Sequence, residues 1–127
     1  MVAQVQNNGL ARITSLLAAA SWWLQWGTGS GAAKTANAVT TTGTTESRVS
    51  ATTSQTTVTV TDDTLTLIGT ITAAGTRAIT EVGAFDAAGT GSPPTGGNMD
   101  LYGDFSVINL SSGDSIAFTV NTTFASA

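Results

Sequence analysis

Eight carboxylates, Glu46, Asp62, Asp63, Glu81, Asp86, Asp100, Asp104 and Asp114, are the side chains this sequence offers for acid–base chemistry near neutral pH. Histidine and cysteine are absent, which removes the commonest general base, the thiolate nucleophile and the usual transition-metal ligands. A paired-carboxylate glycosidase is conceivable with what remains. Most of the Asp, however, stand beside Gly, Ser or Thr at the ends of expected strands, where Asp makes turns by bonding nearby backbone. Asp86, Asp100 and Asp104 could face a calcium ion, yet no D-x-D-x-D-G loop accompanies them. Gly29-Ser30-Gly31-Ala32-Ala33-Lys34-Thr35 looks like a phosphate loop at a glance. That motif needs Gly directly before Lys and again five positions earlier, where this chain has Ala33 and Thr28. No catalytic residue, cofactor or metal is expected.

Glu81 stands apart from the other acids, because it lies alone inside an otherwise apolar run. Its face is exposed, or it pairs with Arg77 or Arg48, or it forms an ion pair across an interface. The three tryptophans, Trp22, Trp23 and Trp26, fall within five positions. Trp22 and Trp26 are one helical turn apart while Trp23 points elsewhere, so one small core is not expected to hold all three. Either they pack on the chain's own sheet or at least one anchors a protein–protein contact, where Trp is enriched.

These groups sit in an unusually uncharged chain: 9% of its 127 residues are charged, against about 25% in ordinary soluble domains. The net charge is −4, and Arg12, Lys34, Arg48 and Arg77 are scattered singly. Nucleic-acid binding is thereby excluded, since phosphate recognition needs clustered cations. A chain of this length makes one domain that buries roughly two-thirds of its unfolded surface. The missing cysteines fit either redox compartment.

Ile13 to Trp26 is the most apolar stretch, and Ala18-Ala19-Ala20-Ser21 superficially resembles a signal-peptidase site. Met1 to Leu10 carries no Lys or Arg, and the run is shorter than the ~20 residues of a membrane span, so neither a cleaved leader nor a membrane segment is expected. Leu10, Ile13, Leu17, Ala20 and Leu24 recur at three- and four-residue spacing and predict a short amphipathic helix, capped by Asn7 or Asn8 and ended by Gly27.

Beyond Gly27 the texture turns to small polar residues, with 25 Thr and 12 Ser in the whole chain. Gly27 to Thr45 reads as a flexible Gly/Thr-rich arm with a short edge strand around Val39. Strands are expected over Arg48–Thr53 and, as a hairpin turned by Asp62-Asp63, over Thr57–Thr61 and Thr64–Thr72. In the latter Leu65, Leu67, Gly69 and Ile71 share one face and Thr66, Thr70 and Thr72 the other. Further strands follow at Ala78–Phe85, at Met99 to Val107, and from Ile116 to Phe124 after the turn Ser111–Asp114. Ala87–Asn98, with its Gly and Pro-Pro, is an exposed connection. The pattern predicts an all-β, single-domain antiparallel β-sandwich, jelly-roll-like, with the helix and arm in residues 1–45 and the sandwich body in 46–127. Asn109-Leu110-Ser111 and Asn121-Thr122-Thr123 match the glycosylation sequon, a coincidence expected in a Ser/Thr-rich chain without a leader. The Thr spacing lacks the fixed repeat of an ice-binding ladder.

From Ile79 onward the sequence resembles a group of small bacteriophage virion proteins. The segments carrying the resemblance are Ile79–Ala87, Gly103–Leu110 and Ser112–Thr119, with an earlier one at Gly43–Val49, about half of the chain. Members of that group are labelled tail-fibre-like or head-associated. The resemblance implies a virion structural role and no catalytic residues. A tail fibre is usually a long rod with repeats or heptads, and this chain has neither. The expectation is a capsid cement (decoration) protein on the capsid surface, with the major capsid protein as partner and self-association as a dimer or trimer. Low charge would reduce the desolvation cost of such contacts. Interface candidates are Leu10, Ile13, Leu17, Trp22, Trp23, Trp26 and Glu81. A tail component or short tail fibre is the alternative, and a carbohydrate-binding adhesin module, stacking sugars on Trp and Tyr102, is a second.

Overall fold

The computed structural model describes residues 1–126. Helix α1 (Asn7–Ala18) opens from Gln6, which is extended and makes no side-chain cap bond, so neither Asn7 nor Asn8 caps it. Its fully buried side chains are Leu10 and Thr14. Thr14 is a polar break in the apolar pattern, yet its hydroxyl donates to the Asp62 carbonyl and accepts Gln55 Nε2 at 2.8 Å. At the other end, the Trp22 indole N–H donates to the Leu17 carbonyl and the Thr53 hydroxyl to the Ala18 carbonyl, both at 2.7 Å. The Leu17 carbonyl also accepts the Ala20 backbone N–H at 3.1 Å, and the Ala18 carbonyl, at the helix end, is satisfied by a side chain; the helix stops there.

The expected helix through Leu24 is therefore too long. Trp23–Gly27 forms strand β1, followed by β2 (Val49–Ser50), β3 (Thr52–Thr56), β4 (Thr64–Thr72), β5 (Arg77–Phe85), β6 (Met99–Leu110) and β7 (Ser115–Thr123). One sheet has the order β2-β1-β5-β6 and the other β3-β4-β7, all neighbours antiparallel. The two sheets pack as a single-domain all-β sandwich with an N-terminal helix. Strand β1 is an interior strand of the first sheet although it belongs to the segment 1–45. Trp22, Leu24 and Trp26 alternate into the core with Leu65, Leu67, Ile71, Ile79 and Phe118.

Thr57–Thr61 is not a strand. Val58 is 66% exposed, and the Asp63 carboxylate gathers the backbone N–H groups of Val58, Thr59 and Val60 at 2.8–2.9 Å, folding the stretch into the turn between β3 and β4. Those bonds hold the Asp63 carboxyl well below the usual carboxylate range. Among the described residues no helix is long and apolar enough to cross a membrane.

Candidate interaction surface

The two sheets differ in what lies outside them. Over the first sheet runs the segment 28–48, which forms no strand around Val39 but buries that side chain to 5% exposure. Three long charged side chains fasten it. Glu81, 1% exposed, accepts the Thr40 backbone N–H and, at 2.7 Å, the Tyr102 hydroxyl. It meets neither Arg77 nor Arg48. Burial, and after it the bond to Glu81, pushes the Tyr102 hydroxyl above its ordinary pKa.

Arg48, 6% exposed, lies over the Phe85 ring at 3.6 Å and donates to Gln25 Oε1 and to the carbonyls of Ala87 and Gly96, each at 2.8 Å. Gln25 in turn donates to the Pro94 carbonyl at 3.1 Å, so the 87–98 connection is tied into the same layer. Burial pulls the Arg48 guanidinium below its ordinary pKa, with Asp86 acting in the opposite sense.

Glu46 holds the end of the segment. It pairs with Arg77 at 2.9 Å and accepts the N–H groups of Ala74, Thr45 and the Trp26 indole. Burial works to raise its pKa, but the bonds from the Ala74, Thr45 and Glu46 backbone N–H groups and from the Trp26 indole together outweigh it, and the carboxyl is lowered to about 2. Gly27 is needed beneath the segment, because an added Cβ would meet the Glu81 carboxylate and lie 2.7 Å from the Thr40 carbonyl oxygen.

No segment of the chain crosses the outer face of the second sheet, which is exposed except at Thr64 and Thr66, buried among their neighbours. Residues paired across a sheet point to the same side, so Thr52, Ser54 and Thr56 of β3, Thr64, Thr66, Ile68, Thr70 and Thr72 of β4, and Ser115, Ala117, Thr119, Asn121 and Thr123 of β7 form one face. Among these residues there is no charge. Neighbouring hydroxyls bond one another: Thr56 to Thr66 and Thr64 to Thr123 at 2.8 Å, and Thr72 to Ser115 at 2.6 Å. Thr66 also donates to Asn121 at 2.9 Å. Ile68, 47% exposed, is the one large apolar side chain of this face and stands between Thr52 and Thr119.

Of the seven interface candidates, Leu10, Trp22, Trp26 and Glu81 are internal, each at most 5% exposed, and in this conformation offer no surface to a partner. Ile13, Leu17 and Trp23 are half-buried. Sequence reasoning missed Ile68, although the Thr66-Thr70-Thr72 alternation already marked its face. It also missed Gln25 and Thr40, and it named Glu46 only as a carboxylate, because the partners Pro94, Glu81, Ala74 and Arg77 are remote in sequence.

Six of the eight carboxylates, Glu46, Asp63, Glu81, Asp86, Asp104 and Asp114, accept backbone N–H bonds. Among the described residues no three acidic groups gather around a point where a metal ion would sit. These geometries suit holding chain segments in place. Compared with known proteins, the chain matches no family model, no curated protein and no solved structure.

Proposed function

We propose that this protein is a non-enzymatic structural component of a bacteriophage virion: a capsid cement, or decoration, protein that binds the outer face of the head shell and bridges major capsid subunits. The virion assignment rests on the resemblance of Ile79–Ala87, Gly103–Leu110 and Ser112–Thr119 to small virion proteins. The docking role rests on one observation, the uncharged hydroxyl face of the β3-β4-β7 sheet with Ile68 at its centre. Covering such a face requires no charge to be stripped of water, and its hydroxyls can donate to or accept from a neighbouring backbone. The adhesin alternative needs aromatic ring faces in solvent. Trp22 and Trp26 are core residues, and Trp23 and Tyr102 are each half-buried, so no fully exposed Trp or Tyr ring is available for a sugar to stack on.

Purified protein added to head shells assembled without it tests the proposal. Saturable binding at hundreds of copies per particle, with improved resistance of the shells to heat and low salt, is expected. Particles that neither bind it nor gain stability overturn the cement role. Location at the tail with a few copies per virion would establish the tail-component alternative.

A further inference from the structure

The segment that covers the first sheet is fixed at its ends and held more lightly along its middle. The Thr28 backbone N–H donates to the Thr40 carbonyl at 2.8 Å and the Thr28 hydroxyl to the Thr42 carbonyl at 3.0 Å, which closes residues 28–42 into a loop. Beyond this loop, Glu46 and Arg48 hold partners of their own and belong to the fixed end. Within 28–42 Val39 is the one large apolar side chain, so attachment to the sheet rests mainly on polar bonds. Glu81 accepts the Thr40 N–H, Asp104 accepts the Gly31 N–H at 2.7 Å, and the Thr80 hydroxyl donates to the Gly29 carbonyl. Asn37 accepts the Met99 N–H and donates to the Gly97 carbonyl. Under the tip, between Ala32–Lys34 and Met99–Tyr102, lies a hollow of about 470 Å³ where the loop does not rest on the sheet. A segment with one apolar anchor and space beneath it opens at lower cost than the sandwich unfolds.

Tyr102 stands where these attachments meet. Its hydroxyl donates to Glu81 at 2.7 Å while Glu81 holds Thr40, and it lines the hollow together with Ala32 and Lys34 of the loop. We propose that residues 28–42 are a strap that lifts from the β1-β5-β6 face while the sandwich stays folded, and that the Tyr102 hydroxyl is its catch, so that loss of this proton frees the strap. An ionised Tyr102 has no proton to give Glu81, and two anions then face each other at hydrogen-bond distance. Asp104 on the same strand acts on Tyr102 in the same sense, and Asp100 is a further acid at the hollow. The one cation lining the hollow is Lys34, which belongs to the strap itself. Arg48 is engaged by Gln25 and by the Ala87 and Gly96 carbonyls. Because burial, and after it Glu81, raises the Tyr102 pKa above the ordinary 10.0, the closed strap is complete below pH 10.0 and is lost as pH rises beyond it. Lifting uncovers the face at Gly83, where Val39, Phe85 and Met99 converge, and leaves the molecule with two open sheet faces in place of one.

This inference does not depend on the virion proposal, since it concerns motion within one chain. The test uses two features of the sequence: Tyr102 is the only tyrosine, and cysteine is absent. Ultraviolet absorbance of tyrosinate therefore reports Tyr102 alone, and a nitroxide on Ser30→Cys, an exposed position of the strap, reports its mobility. As the labelled full chain is titrated with alkali, tyrosinate formation and label mobility should rise together in one step above pH 10.0, with the strand signal in circular dichroism unchanged. Glu81→Gln should move that step down by about one pH unit or more, because the neighbouring anion is gone. Tyr102→Phe should abolish the alkaline step, and Lys34→Arg, which keeps the strap's cation, should leave it in place. A label that stays immobile through the tyrosinate step, or a strand signal lost in the same step, would overturn the proposal. So would an alkaline step that survives in Tyr102→Phe or moves in Lys34→Arg.

Discussion

The outer faces of the two sheets use opposite chemistry. The β2-β1-β5-β6 sheet is covered over β1 and the adjoining parts of β5 and β6 by the chain's own segment 28–48, fastened through Glu81, Arg48 and Glu46, all largely withdrawn from water, while the far end of β6 around Val107 stays exposed. The β3-β4-β7 sheet has no such cover, and its face is Thr, Ser, Asn, Ala and one Ile. An ordinary soluble sheet places charge outside, where it blocks edge-to-edge association, and apolar groups inside. Here three of the chain's 12 charged residues hold an internal layer, while the exposed sheet is left neutral. The low charge is thus unevenly distributed, and its distribution separates a self-covered face from one suited to a partner.

Removing a fastening should therefore cost stability, and altering the bare face should not. Arg48→Ala is expected to be the most damaging change. It leaves Gln25 Oε1 and the Ala87 and Gly96 carbonyls without their donor and uncovers Phe85, for a loss of about 3 kcal/mol in urea unfolding. Gly27→Ala should cost about 2 kcal/mol, because the new methyl group pushes the Thr40 backbone off the sheet; faster hydrogen exchange at Thr28 and Thr40 would show it.

Acid should act through Glu46. Its folded pKa, about 2, lies below the ordinary 4.5, so its contribution is complete above about pH 4.5 and disappears as pH falls toward 2. Glu46→Gln should lower stability by on the order of 1–2 kcal/mol at pH 7, with the gap from the native chain closing across that interval in pH-dependent melts. Asp63, also depressed, adds to the acid sensitivity of both chains. Ile68→Lys, at the centre of the bare face, should change stability by less than about 0.5 kcal/mol. A large loss there would erase the distinction between the faces.

The strands of the second half were legible because their alternation is regular: Leu65, Leu67 and Ile71 point inward, and Thr66, Thr70 and Thr72 outward. The helix boundary was not, because a spacing of four residues fits two structures. Trp22 and Trp26 are one helical turn apart and also two strand repeats apart, and the intervening Leu24 decides for the strand. Thr57–Thr61 alternates as a strand would, but Asp63 offers its backbone a local partner that outcompetes a ladder. The arm looked free because Gly and Thr dominate its composition. Its fixed points are bonds from Glu81 to Thr40 and from Arg48 to Gly96, 41 and 48 residues apart, beyond any local pattern. Glu81 was recognisable as an anomaly, though its partners proved to be a backbone N–H and a phenol in place of an arginine.

The central claim, that the uncovered hydroxyl face meets the partner, is tested most directly by titrating Ile68→Lys onto head shells beside the native chain and Val107→Lys. Ile68 lies on that face, whereas Val107, 53% exposed, lies on β6. A folded Ile68→Lys with at least about tenfold weaker binding, beside a Val107→Lys that saturates like the native chain, is the predicted result. Native-like saturation by Ile68→Lys would contradict it and move the docking surface elsewhere on the molecule.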